Sequence, residues 1–103
     1  MDRIALLKDY LRKSPEDAFL NHALALEYVK LGQDPEAITH FERVLNNNPD
    51  YIGSYYHLAK ALERRGARDK AITIYEQGLQ VAGRLQDAHA RGELQAAYDD
   101  LLY

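Results

Sequence analysis

Cysteine is absent from the 103 residues, so the chain holds neither a disulfide framework nor a thiolate metal site. No apolar run approaches the ~18 residues that a membrane span needs. The opening MDRIALLKDYLRKSPED alternates charge with hydrocarbon, whereas a secretory signal would follow a basic start with an unbroken apolar block. A cytoplasmic address is therefore the expectation. Serine occurs only at Ser14 and Ser54, both expected in turns between helices, where a hydroxyl caps or shapes the chain. No G-x-S-x-G elbow, P-loop or glycine-rich phosphate fingerprint occurs. The chain reads as a non-enzyme that needs no cofactor.

What is present is ordinary globular material: 47% apolar and 28% charged residues, enough for one modest core. The net charge of −3 is uneven. Between Lys60 and Lys70 five basic residues face only Glu63 and Asp69. From Gln86 onward Asp87, Glu93, Asp99 and Asp100 face only Arg91. That asymmetry is able to steer a partner. It is too small and mixed for a nucleic-acid surface, so neither nucleic acid nor membrane is expected as a partner.

The chain matches itself at a shift of 34. Residues 18–51 laid on 52–85 pair Leu24 with Leu58, Ala25 with Ala59, Gly32 with Gly66, Ala37 with Ala71, Phe41 with Tyr75 and Leu45 with Leu79. The same shift places Ile4, Leu7, Leu11 and Pro15 under Ile38, Phe41, Leu45 and Pro49. Each unit reads as two helices. The first spans about Ala18 to Leu31, with apolar residues at three- and four-residue steps, and Gly32 closes it. Asp34 is then expected as the N-cap of the next helix, with Pro35 at its first position. That helix turns Ala37, Ile38, Phe41, Val44 and Leu45 inward and stops before Pro49. In the second unit the helices are expected from Tyr55 to Arg65 and from Asp69 to about Val81. Ala25, Ala37, Ala59 and Ala71 sit where paired helices approach closely, so a larger side chain there would cost about 1–3 kcal/mol.

The segments LALEYVKLGQDPEAITHF and LAKALERRGARDKAITIY, with Pro49 closing the first unit, resemble the tetratricopeptide repeat (TPR) family, above all its short free-standing bacterial members. The resemblance implies an all-α fold. This is a right-handed superhelix of antiparallel helix pairs (an α-α solenoid) with about five to six helices. It divides the single domain 1–103 into a half-repeat helix (1–15), two repeats (18–51 and 52–85) and a C-terminal capping helix (86–103). Some positions depart from the family pattern. Asn21 stands where Tyr55 keeps the family aromatic, Leu62 stands where Tyr28 keeps another, and the second repeat ends in Gly83 rather than proline. In the tail Gly92 falls where leucine is expected. Leu94 suits that position better, which implies a two-residue offset.

Four histidines raise the question of a metal. His22 and His57 lie one repeat step apart, but a zinc site wants three or four ligands and no cysteine is available to join them. No metal is expected. His40 and His89 read as surface residues. Asp99 and Asp100 point about 100° apart on a helix, so they form a solvated face and not a dyad.

In the family, positions two, five, six, nine, twelve and thirteen of each repeat line a concave groove. Carried over, they are Phe19, His22, Ala23, Leu26, Val29 and Lys30, then Gly53, Tyr56, His57, Lys60, Glu63 and Arg64. The adjacent rings Tyr55, Tyr56 and His57 then divide into one core ring and two groove rings. The first wall is apolar and the second aromatic to basic. It would suit a peptide or helix of an unidentified partner protein that carries an apolar anchor and an acidic group. The family's clamp for acidic chaperone tails uses lysine and asparagine at positions that here hold His22, Leu26 and His57. The expected function is a non-catalytic protein–protein interaction module. The alternative is a self-assembling module that forms homodimers through exposed helix ends, with Ile4 and Leu7 at one end and Leu101, Leu102 and Tyr103 at the other.

Overall fold

The computed structural model describes residues 2–103 and contains six helices among them. They are α1 (Arg3–Lys13), α2 (Ala18–Lys30), α3 (Asp34–Asn47), α4 (Gly53–Arg64), α5 (Arg68–Arg84) and α6 (Ala88–Leu102). Successive helices pack against each other in antiparallel pairs, and the pairs wind into a right-handed α-α superhelix. The molecule measures 42 × 28 × 19 Å, elongated as stacking predicts. α2, α4 and α6 stand side by side along one face, where α4 touches both of the others.

The helix ends follow local chemistry. Asp2, Asp17 and Asp87 cap α1, α2 and α6 by accepting the amide N–H of Ala5, Leu20 and Ala90 at 2.8, 2.8 and 3.0 Å. At the ends of α2 and α4, Gly32 and Gly66 take φ of 71° and 77°, the left-handed conformation that glycine adopts without a Cβ clash. The following amides, Gln33 and Ala67, reach back to the carbonyls of Tyr28 and Leu62 at 2.9 Å each. Gln86 repeats the closure after α5 with φ 57° and Asp87 N–H to Ala82 O at 2.9 Å. Between them α5 runs straight through Gly83 to Arg84.

Three local expectations are corrected. Asp34 is not an N-cap: Gln33 holds that place without a side-chain bond, and the Asp34 carboxylate instead takes both Arg64 Nε and Nη2 at 2.9 Å. Helix α4 starts at Gly53, so Ser54 lies inside it, fully buried. His40 is not a surface residue. It is half-buried, stacks on Tyr28 with centroids 5.8 Å apart, and its Nδ1 meets Asn21 Oδ1 at 2.9 Å. Buried Asn21 spends its amide hydrogens on the Pro15 and Asp17 carbonyls at 3.0 and 2.9 Å. A polar group thus replaces the expected aromatic at no cost in unpaired donors.

The core has two adjoining clusters. One gathers Leu7, Leu24, Tyr28, Phe41, Leu58 and Leu62 around Ala25, Ala37 and Ala71. The other gathers Tyr55, Tyr75, Val81 and Leu94 around Ala59, Ala82 and Ala97. All four alanines expected at close approaches are completely buried. Leu94 is 1% exposed and Gly92 is exposed, which places Leu94 in the register of Leu24 and Leu58. Leu7, expected at an exposed end, is buried among the first cluster, because α1 lays it into the space that Phe41 fills one repeat later. The apolar groups that α1 leaves in solvent are Leu6 and Tyr10.

Candidate functional site

On the face shared by α2, α4 and α6, the first two helices enclose an open recess of about 480 Å³. Phe19, Ala23, Leu26 and Val29 supply its hydrocarbon, His22 and His57 its rings, and Arg3, Glu27 and Lys30 its rim. Phe19 is 64% exposed, a large aromatic left in water beside other apolar groups. Seven of the twelve residues expected to line a groove meet here: Phe19, His22, Ala23, Leu26, Val29, Lys30 and His57. The other five, Gly53, Tyr56, Lys60, Glu63 and Arg64, lie on α4. Tyr56 packs edge-on against His57 with centroids 5.4 Å apart, and Lys60 Nζ lies 6.0 Å from the Tyr56 ring centre. Glu63 turns inward to accept the Tyr75 hydroxyl. Arg64 is held by Asp34. Helix α6 packs on α5 and α4 without reaching α2, so the recess is left open.

Tyr55 turns to the opposite side. It is 4% exposed, packs in the second cluster and donates its hydroxyl to the Pro49 carbonyl at 2.6 Å. Tyr55 is thus a core ring, while Tyr56 and His57 are half-buried, His57 at the recess and Tyr56 packed on the second cluster.

The floor of the recess is an aromatic stack. Phe41 from α3 is fully buried. His57 lies nearly parallel to it at 6.0 Å, and His22 meets it edge-on at 5.6 Å. His22 also shares a 2.7 Å hydrogen bond between its Nδ1 and Ser54 Oγ. Burial, reinforced by repulsion from His57, holds the His22 imidazole down to about 4. Burial also lowers His57 and His40. In His57, Arg64 works in the same direction and Glu93 opposes it. At neutral pH this floor is uncharged.

A pH dependence follows. The folded His22 pKa lies below the unfolded value of 6.5, so the unfolded chain binds the extra proton. Stability is therefore complete above pH 6.5 and falls as the pH drops toward 4. His22 contributes about 1–2 kcal/mol of that loss once solvent screening of a half-buried ring is allowed for. An NMR titration of the ring protons should place the His22 midpoint below 5. A midpoint near 6.5 would refute the burial argument.

Sequence reasoning missed Arg3, Glu27, Ser54 and Glu93. Arg3 and Lys30 both reach Glu27, at 3.5 and 2.9 Å. The Glu27–Lys30 spacing is a legible helix pair. Glu93 falls on the position of His57 once Leu94 is aligned with Leu58. The acidic group expected of the partner needs free cations at Lys60 and Arg64, and the chain's own Glu63 and Asp34 meet both. Among the described residues no cluster of three potential metal ligands occurs, and no helix is long and apolar enough to cross a membrane.

Comparison with known proteins converges on one family. A TPR repeat model matches residues 25–66, and a tetratricopeptide repeat model matches residues 54–89. A TPR repeat-containing protein of Pseudomonas aeruginosa is 30% identical over 88 residues, which cover 85% of this chain and 84% of that protein. The crystal structure of a tetratricopeptide repeat domain protein from Salinibacter ruber superposes with a TM-score of 0.79 at 39% identity. The match covers 82% of this chain and 94% of that one. The TPR2B domain of yeast Sti1, in its complex with pHsp70, superposes with a TM-score of 0.88 at 18% identity, over 95% of this chain and 78% of that one. This last likeness is one of fold.

Proposed function

The chain belongs to the tetratricopeptide repeat family, and on that basis we propose that it is a protein-interaction module whose concave face receives a segment of a partner protein. We take residues 18–51 and 52–85 as its two full repeats, residues 1–15 as the preceding half-repeat and residues 86–103 as the capping helix. The observation that carries the reading is the uncovered apolar recess between α2 and α4, with Phe19 exposed at its edge. A recess of this size has room for a large apolar side chain, and burying that chain supplies the main attraction. Two distant fold neighbours are seen with partners: the TPR2B domain of yeast Sti1 in complex with pHsp70, and the first TPR of Spaghetti bound to the HSP90 peptide SRMEEVD. The capping role of α6 fits its outward face. Where α2 and α4 carry Ala25 and Ala59 against their own partner helices, α6 carries exposed Gln95. Polar side chains there suit an end that faces water.

The test is affinity capture from the cells that make the protein, run in parallel with the wild-type chain, Phe19→Ser and Tyr56→Ala. Phe19 is largely exposed, so its replacement should leave the fold within about 0.5 kcal/mol of wild type. Its loss should weaken a groove-bound partner about tenfold or more. A partner recovered equally by all three chains sinks the groove reading.

A further inference from the structure

The charges along the concave wall are not evenly satisfied. Its cations are each engaged by a carboxylate of the same chain: Arg3 and Lys30 with Glu27, Lys60 with Glu63 at 3.8 Å, and Arg64 with Asp34. The α6 end is the reverse. With Leu94 in the register of Leu58, Glu93 takes the place of His57, and Asp99 and Asp100 take those of Glu63 and Arg64. All three carboxylates are exposed. Among the described residues none of them joins an ion pair. Asp99 receives only a neutral hydrogen bond from Gln95, and Arg68, which reaches α6, bonds the Leu101 carbonyl and not a carboxylate. Glu93 stands close enough to favour the charged form of His57. Arg3 and Lys30 share one carboxylate, so the surplus positive charge lies at the α2 rim and the unpaired negative charge lies on the α6 side of the recess.

We infer that the partner segment carries a large apolar side chain for the recess and, about four residues away, a lysine or arginine for Glu93 and Asp100. The inference rests on the groove reading above. The spacing comes from helix geometry. Packed helices lie about 8–10 Å apart, so from the gap between α2 and α4 to α6 is roughly one and a half spacings, or about 12–15 Å. An extended peptide covers that in about four residues at ~3.3–3.6 Å each. An acidic tail fits poorly. It would have to displace an internal carboxylate from each cation it sought, and it would lie against the α6 carboxylates.

A phage-displayed random dodecapeptide library selected on the full chain tests this while the natural partner is still unidentified. Enriched peptides should pair an aromatic or long aliphatic residue with lysine or arginine three to five positions away, in either chain direction. In fluorescence anisotropy, changing that basic residue to glutamate should weaken a selected peptide about tenfold. The double variant Glu93→Lys with Asp100→Lys should reverse the preference, favouring the glutamate peptide. If selected peptides are acidic or indifferent to charge, yet still lose binding on Phe19→Ser, the charge assignment is overturned and the groove stands. If no peptide is enriched, or selected peptides bind Phe19→Ser unchanged, the groove reading falls and this inference falls with it.

Discussion

Phe41→Ala should cost the protein about 3–5 kcal/mol. Phe41 is completely buried on α3 and packs in the cluster that joins α2, α3 and α4. Its ring also forms the floor beneath His22 and His57. Removing it leaves a cavity that close-packed neighbours fill only in part, so the loss exceeds the transfer energy of the side chain. A domain of this size has about 5–15 kcal/mol in total, so the loss should show as a large fall in the urea midpoint. A second readout separates this cavity from a generic defect. With the floor gone, water gains access to His22, and its depressed pKa should climb back toward 6.5. Replacement of the exposed neighbour Glu42 by alanine should change stability by no more than about 0.5 kcal/mol. A Phe41→Ala loss below about 1 kcal/mol, or an unchanged His22 titration, would contradict the account of the floor.

How much of this was legible in the sequence depends on the range of the interaction. Gly32 and Gly66 mark helix ends through their own backbone freedom, so a single residue carries the signal. In α3 the steps Ala37, Phe41 and Val44, set among Glu36, His40, Glu42 and Arg43, encode which side faces inward, and a repeat at 34 shows that the solution is used twice. Leu94 is readable for the same reason, because a large apolar residue outcompetes exposed Gly92 for a core position. Contacts between helices were not legible. Asp34 looks like a cap because capping is local, but its carboxylate is taken by Arg64, 30 residues away. Ser54 and His22 meet across 32 residues, and Asn21 meets His40 across 19. The groove wall divides in the same way. The repeat pattern assigns Phe19, Leu26 and His57 to one face, and the Lys30 and Lys60 pairs are local, while the pairing of Arg64 depends on Asp34 from α3. Glu93 was legible as a tail charge, but its place beside His57 follows only when the two-residue offset, which rotates α6 about 200°, is carried on to the groove positions.

Gly78→Ala should destabilise the C-terminal half by roughly 1–3 kcal/mol, against the direction that helix propensity alone predicts. Gly78 is buried in the middle of α5, where alanine would ordinarily add about 0.5–1 kcal/mol of stability. A Cβ there would lie 2.8 Å from Tyr55 Cβ and 3.1 Å from both Tyr55 Cγ and Leu94 Cδ1. The Leu94 methyl is a flexible tip, but Tyr55 Cβ is attached directly to the α4 backbone and moves only if the helix moves. Tyr55 is further pinned by its hydroxyl bond to Pro49. The added methyl therefore pushes α5 away from α4 and loosens α6, whose Leu94 packs in the same gap. Gly92→Ala is the matched control. Gly92 lies on exposed α6 with nothing within 4 Å of the new Cβ, so the same substitution should stabilise by about 0.5–1 kcal/mol. Opposite signs in chemical denaturation, with faster amide exchange across α6 only in Gly78→Ala, are the expected result. Two stabilising substitutions would mean that α4 and α5 yield at no cost, and the close approach would then not be what holds α6 in register. Because α6 carries Glu93 and Asp100, that approach bears on binding as well. Loosening it displaces the carboxylates from the recess, so Gly78→Ala should weaken charge discrimination between peptides before it weakens their apolar anchoring.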